Sequence, residues 1–97
     1  MDFVFVVKDK SDRNLRLTRR QWTHITTKHP MLTSYLEKLK ETLNDPDKIM
    51  PHEFGRLFDY YKYYKHQSGG AKFLKVVVKY LNGDGFILSA YFVKHIN

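Results

Sequence analysis

Phe73-Leu-Lys-Val-Val-Val-Lys-Tyr-Leu81, Asn82-Gly83-Asp84-Gly85 and Phe86-Ile-Leu-Ser-Ala-Tyr-Phe-Val-Lys94 form the stretch that decides the fold. Successive strand side chains alternate between faces, so Leu74, Val76, Val78 and Tyr80 point one way and Phe73, Lys75, Val77 and Lys79 the other. The same count divides the second run into Phe86, Leu88, Ala90 and Phe92 against Ile87, Ser89, Tyr91 and Val93. The glycine-rich tetrapeptide between them is a turn, and two apolar runs joined this way predict an antiparallel hairpin.

Upstream, Arg56 to His66 is dense in aromatic residues and reads as a further strand. Period two places Phe58, Tyr60, Lys62, Tyr64 and His66 on one face, with Asp59, Tyr61, Tyr63 and Lys65 on the other. Gly69-Gly70 supplies the loop that follows. Residues 48–55 read two ways, since Ile49 and Met50 open a strand that Pro51 would interrupt. From Met31 to Asn44 the apolar positions Leu32, Tyr35, Leu36, Leu39 and Leu43 have helical spacing, and Asn44-Asp45-Pro46-Asp47 stops the helix. An earlier helix starts at about Arg19, where Thr18 and Gln21 stand at capping-box spacing, and ends at His29 because Pro30 disfavours helical geometry before it. Phe3 to Lys8 and Leu15 to Leu17 are strands joined through the polar turn Asp9 to Asn14. The expected fold is α+β: an antiparallel sheet of about four to five strands packed with two helices from the N-terminal half, a single domain over residues 1–97.

The 97 residues carry a net charge of +7, which points to an anionic partner, nucleic acid first and a membrane surface or acidic protein after it. Surface solubility alone is the plainer explanation of that charge. The run Met1 to Lys8 is too short to span a membrane and lacks a basic leader and cleavage site, so a cytoplasmic protein without a membrane partner is expected. Cysteine is absent, which removes disulfides, thiolate nucleophiles and cysteine-type zinc sites. His24 and His29 are separated by five positions with no carboxylate at helical spacing, and the glycine pairs sit at hairpin turns rather than before helices. Neither a metal site, a phosphate loop nor a cofactor is expected.

What remains is metal-independent phosphodiester cleavage, which needs a base for the ribose 2'-OH, an acid for the leaving oxygen and cations for the transition state. On the first helix Arg20, His24, Thr27 and Lys28 share a polar face, while Trp22, Ile25 and His29 share the other. His24 is the candidate base or acid, and His29 the second such group if the hinge at Pro30 turns it inward. Arg20 and Lys65 (or Lys62) are the expected cations for the phosphate charge, and Lys28 on the same helix face as Arg20 is a nucleic-acid contact. Ser89, Tyr64 and Tyr91 position the phosphate, Ser89 and Tyr91 from one strand face. Each has a structural reading too: His24 as a surface histidine, His29 as a cap, Trp22 as core and Ser89 as a backbone partner. His52, His66 and His95 have no supporting pattern.

The order Arg20-x-Trp22-x-His24-Ile25, His29-Pro30, a helix ending at Asn44-Asp45-Pro46, a Tyr-Tyr-Lys strand, a Val-Val-Val strand and Ser89-Ala90-Tyr91 resembles the phage and plasmid nucleases of the barnase–EndoU–colicin–RelE (BECR) type. The resemblance spans Arg19 to Val93. It implies a small sheet preceded by helices, metal-independent RNA cleavage, and use as a toxin or effector held by an acidic antitoxin or immunity protein. Carried onto matching positions, it implies catalytic roles for Arg20, His24, His29, Tyr64, Lys65 and Ser89. Met31 after His-Pro and Ser89 in the last strand depart from the acidic residue and threonine common in that family. The expected activity is therefore an endoribonuclease acting on RNA, tRNA included. The rival readings are a non-catalytic basic nucleic-acid-binding domain and a protein-interaction module.

Overall fold

The Asn82-Gly83 pair closes the expected hairpin. Both residues take positive φ, 53° and 86°, the left-handed geometry that a two-residue turn requires and that Asn-Gly adopts at low cost. The computed structural model describes residues 3–52 and 55–96. In chain order it contains β1 (Phe3–Lys8), β2 (Asn14–Thr18), α1 (Arg19–Lys28), a 3-10 turn (Pro30–Ser34), α2 (Leu36–Asn44), β3 (Lys48–Pro51), β4 (Leu57–Tyr63), β5 (Phe73–Leu81) and β6 (Asp84–Val93). Of the stretch with two readings, Lys48–Pro51 is a strand, and positions 53 and 54 lie outside the described residues.

The six strands form one sheet in the order β1-β2-β6-β5-β4-β3. The α+β class holds, with both helices from the N-terminal half, but the sheet is larger than expected and not wholly antiparallel. β2 runs parallel to β6 through Leu15 opposite Gly85 and Arg16 opposite Phe86. A parallel neighbour needs a long crossover, which the helices and β3 to β5 provide. The approach there is close: a side chain on Gly85 would run into Leu15 and Tyr80.

β6 also departs from simple alternation. Val77 lies opposite Ser89 and Val78 opposite Ile87, so Leu88 is the extra residue of a β-bulge. Ile87 thereby joins Ala90 and Phe92 on one face, and Phe86 joins Ser89 and Tyr91 on the other. The predicted grouping of Phe86 and Leu88 with Ala90 is corrected by that one residue. Gln21 explains where the bulge's carbonyl goes: its side-chain amide donates to the Leu88 carbonyl. The capping box is accordingly half-formed, with the Gln21 N–H donating to Thr18 Oγ1 at 3.1 Å while the Gln21 side chain serves the sheet.

The expected Met31–Asn44 helix is broken at Tyr35, whose φ and ψ are −109° and 22°. After Pro30 the chain tightens, with Leu32 N–H bonded to the His29 carbonyl and Tyr35 N–H to the Leu32 carbonyl, before α2 begins. Leu32, Leu39 and Leu43 from these segments and Ile25 from α1 bury against Leu15, Leu17, Leu74, Val76, Val78, Ile87 and Ala90. Among the described residues the helical packing thus falls on one face of the sheet, leaving no helix over the face with Asp59, Lys75, Ser89 and Tyr91. No helix among the described residues is long and apolar enough to cross a membrane.

Candidate functional site

The pairing of β4, β5 and β6 builds a polar row across the helix-free face. Tyr61, Lys75 and Tyr91 lie side by side on neighbouring strands, and Asp59, Val77 and Ser89 form the next row. Directly opposed residues on one face sit close enough for their side chains to meet. Lys75 is the centre of this group. Its ammonium lies 3.5 Å from Asp59 Oδ2, 5.4 Å from the Tyr91 ring centre and 5.9 Å from that of Tyr61. Burial pulls the Lys75 pKa down, but the Tyr91 hydroxyl, the Asp59 carboxylate and the remaining tyrosine outweigh it, and the net direction is upward. The side chain is therefore a persistent cation held in place.

Asp59 is itself buried and accepts a hydrogen bond from His52 Nε2 at 2.8 Å. A carboxylate oxygen can only accept, so Nε2 carries the hydrogen and Nδ1 is the nitrogen left open in the neutral ring. His52 reaches Asp59 from just beyond β3, the strand on the far edge of the sheet.

On the other side of Lys75 the group is extended by His29. β2 pairs with β6 only at its start, so the second half of β6 has no strand on that side, and the end of α1 lies there instead. His29 ends α1, its N–H bonded to the Ile25 carbonyl at 2.8 Å. Its ring stacks on Tyr91, centres 5.5 Å apart and planes 25° from parallel. The hinge at Pro30 thus brings His29 to the sheet. Beside this stack a cleft of about 360 Å³ opens between His29, Tyr91, Lys94 and the loop containing Gln67, Gly69 and Gly70. A larger hollow of about 610 Å³ lies between β1 and α2, but its walls are a solvated helix flank, including the Lys40–Glu37 pair at 3.1 Å, and it contains none of the candidate residues.

The residues expected from sequence fall into four places. Arg20, His24 and Lys28 share the exposed flank of α1. His29, Ser89 and Tyr91 meet at the helix-free face of β6. Tyr64 and Lys62 belong to the helix-covered side. The Tyr64 hydroxyl lies 2.8 Å from Glu41 Oε1, 3.0 Å from the Lys38 carbonyl and 3.2 Å from Thr42 Oγ1, tying the strand end to α2. Burial raises the Tyr64 pKa, and the Glu41 carboxylate adds to that shift. Lys62 Nζ donates to the Asp45 carbonyl at 2.8 Å, at the C-terminal cap of α2. Lys65 lies beyond β4, exposed, with its carbonyl accepting from Lys72 Nζ at 3.2 Å.

Lys75, Asp59 and His52 escaped sequence reasoning as site residues. Period two placed Lys75 and Asp59 on their faces correctly, but only the strand order sets them beside Ser89 and Tyr91. His52 carried no signal, because Pro51 hides its proximity to β4. Among the described residues no group of three or more histidines and carboxylates is placed to hold a metal ion. Comparison of the chain with protein-family models, with curated proteins and with solved structures finds no match in any of the three.

Proposed function

We propose that this chain binds single-stranded RNA on its helix-free sheet face and cleaves it without a metal, by attack of the ribose 2'-OH. The observation that carries the reading is the cluster His29–Tyr91–Lys75–Asp59: an imidazole stacked on a tyrosine that neighbours a fixed ammonium. His29 takes the proton of the 2'-OH as that oxygen attacks phosphorus. The bond from phosphorus to the 5' oxygen breaks, and the Tyr91 hydroxyl gives its proton to the departing oxygen. Lys75 stabilises the charge that accumulates on the phosphorane-like transition state, with Ser89 as a further donor. Asp59 and His52 are positioning residues that hold Lys75. Arg20, His24 and Lys28 guide the RNA backbone along α1.

The resemblance to BECR-type nucleases supports the same reading, and with it the role of a toxin or effector restrained by an acidic antitoxin or immunity protein. A second reading is favoured by one specific feature: Tyr63 is exposed and lies against Phe73, ring centres 5.3 Å apart. Such an aromatic platform stacks bases whether or not chemistry follows.

Incubating the pure protein with total tRNA and a mixed RNA pool in EDTA separates the two. Discrete fragments ending in 2',3'-cyclic phosphate and 5'-hydroxyl are the expected result. Intact RNA with salt-sensitive binding would leave the binding domain, and no binding at all would turn the search toward a protein partner.

A further inference from the structure

The cleft beside the His29–Tyr91 stack contains a group that the reaction above does not use. Gln67 is only 4% exposed, and its Oε1 has no hydrogen-bond partner. Its backbone, by contrast, is engaged on both sides: the N–H donates to the Tyr64 carbonyl at 3.0 Å, and the carbonyl accepts from Lys72 Nζ. A buried acceptor left without a donor is costly, and because Oε1 is wholly covered in the free protein the side chain recovers that cost by turning toward the cleft to meet a ligand N–H. The neighbouring wall is aromatic, and the rim is basic. A side chain on Gly70 would sit 3.6 Å from Lys94 Cε, which places the lysine stem against the loop. Gly69, at φ +82°, has nothing within 4 Å of where a Cβ would stand, so this side of the cleft is open.

We infer that this cleft takes one nucleotide of the RNA. Its base extends the His29–Tyr91 stack and gives an N–H to Gln67 Oε1, and its phosphate meets Lys94. The volume of about 360 Å³ lies at the small end of ligand pockets, which run from roughly 300 to 1,000 Å³. It admits one nucleotide and excludes a duplex. Every base carries an N–H donor, so Gln67 sets the requirement for a base rather than its identity. Stacking sets the preference: a two-ring purine covers more of the aromatic wall than a pyrimidine. The inference rests on the proposed RNA-binding reading and names the subsite within it.

The test is titration of the intact protein with the 5'-monophosphates of adenosine, guanosine, cytidine and uridine, and with ribose 5-phosphate, followed by amide chemical shifts. Saturable binding is expected, with purine nucleotides tightest and ribose 5-phosphate at least tenfold weaker. The Gln67→Met variant removes the orphan acceptor at similar volume and should weaken the purine nucleotide at least fivefold without lowering the melting temperature. Tyr91→Leu should weaken it similarly, which keeps the test alive if Gln67→Met unfolds. Equal binding of ribose 5-phosphate, no saturable binding, or unchanged affinity in folded variants would overturn the assignment. A mononucleotide contains no internucleotide bond, so the two proposals fail separately. Nucleotide binding with RNA left intact would sink the reaction and keep the cleft, and cleavage without nucleotide binding would do the reverse.

Discussion

Asp9 shows how much of this fold hangs on single side chains. Its carboxylate accepts from the Ser11 and Arg13 amides at 2.8 and 2.9 Å, from Arg13 Nε at 3.0 Å and from the Tyr80 hydroxyl at 2.7 Å. Arg13 also lies over the Tyr80 ring, 3.8 Å from its centre. Burial alone would raise the Asp9 pKa, but the Tyr80 hydroxyl, the two amides and the Arg13 charge together lower it below 3.8. A carboxyl whose pKa is lower in the folded than in the unfolded chain stabilises the fold above the unfolded value, and that stability is lost as pH falls through the folded one. Asp9→Asn should therefore cost about 1–3 kcal/mol at pH 7 and progressively less as the pH is taken below 3.8, read from urea unfolding at pH 7 and at an acid pH. An equal loss at both would show that the charge is immaterial. Gly85 is the second such position. Gly85→Ala should cost about 1–3 kcal/mol, since its methyl would push Leu15 or Tyr80 from its place, and an unchanged melting temperature would refute the close packing.

Among the elements, most strands and the first helix were legible because alternation, helical spacing and turn residues all agreed. What was missed came from pairing partners far away in the chain. The Leu88 bulge has no local sequence sign; it is accommodated by an amide donated from Gln21, across the fold. The break at Tyr35 is equally silent, because Leu32, Tyr35 and Leu36 keep helical spacing through a 3-10 turn. The candidate site suffered in the same way. Residue type alone singles out His29 and Tyr91 but not their stacking, while Tyr64 and Lys62, expected beside them, bond to α2 and its C-terminal cap. Tyr64→Phe should cost about 1 kcal/mol, seen in thermal unfolding, by removing the link to Glu41, Lys38 and Thr42. The same variant should leave RNA binding unchanged; weakened binding in a folded Tyr64→Phe protein would return that residue to the site.

The whole molecule combines a net charge of +7 with a sheet whose described helices all pack on one face. If RNA lies on the other face, releasing counterions from its phosphates should make binding steeply salt-dependent. For three contacted phosphates, affinity should fall roughly tenfold or more between 50 and 200 mM salt. A flat salt response would argue for a protein partner. The central claim, that chemistry sits where His29 meets Tyr91 and Lys75 rather than on the exposed flank of α1, is tested most directly by single-turnover RNA cleavage in EDTA. The variants to compare are His29→Ala, Lys75→Met and His24→Ala, each first shown to be folded. The account predicts that the first two lose roughly 100-fold or more in rate, while His24→Ala stays within about threefold of the parent. Loss of cleavage in His24→Ala with His29→Ala unimpaired would contradict it, as would RNA left intact by the parent protein.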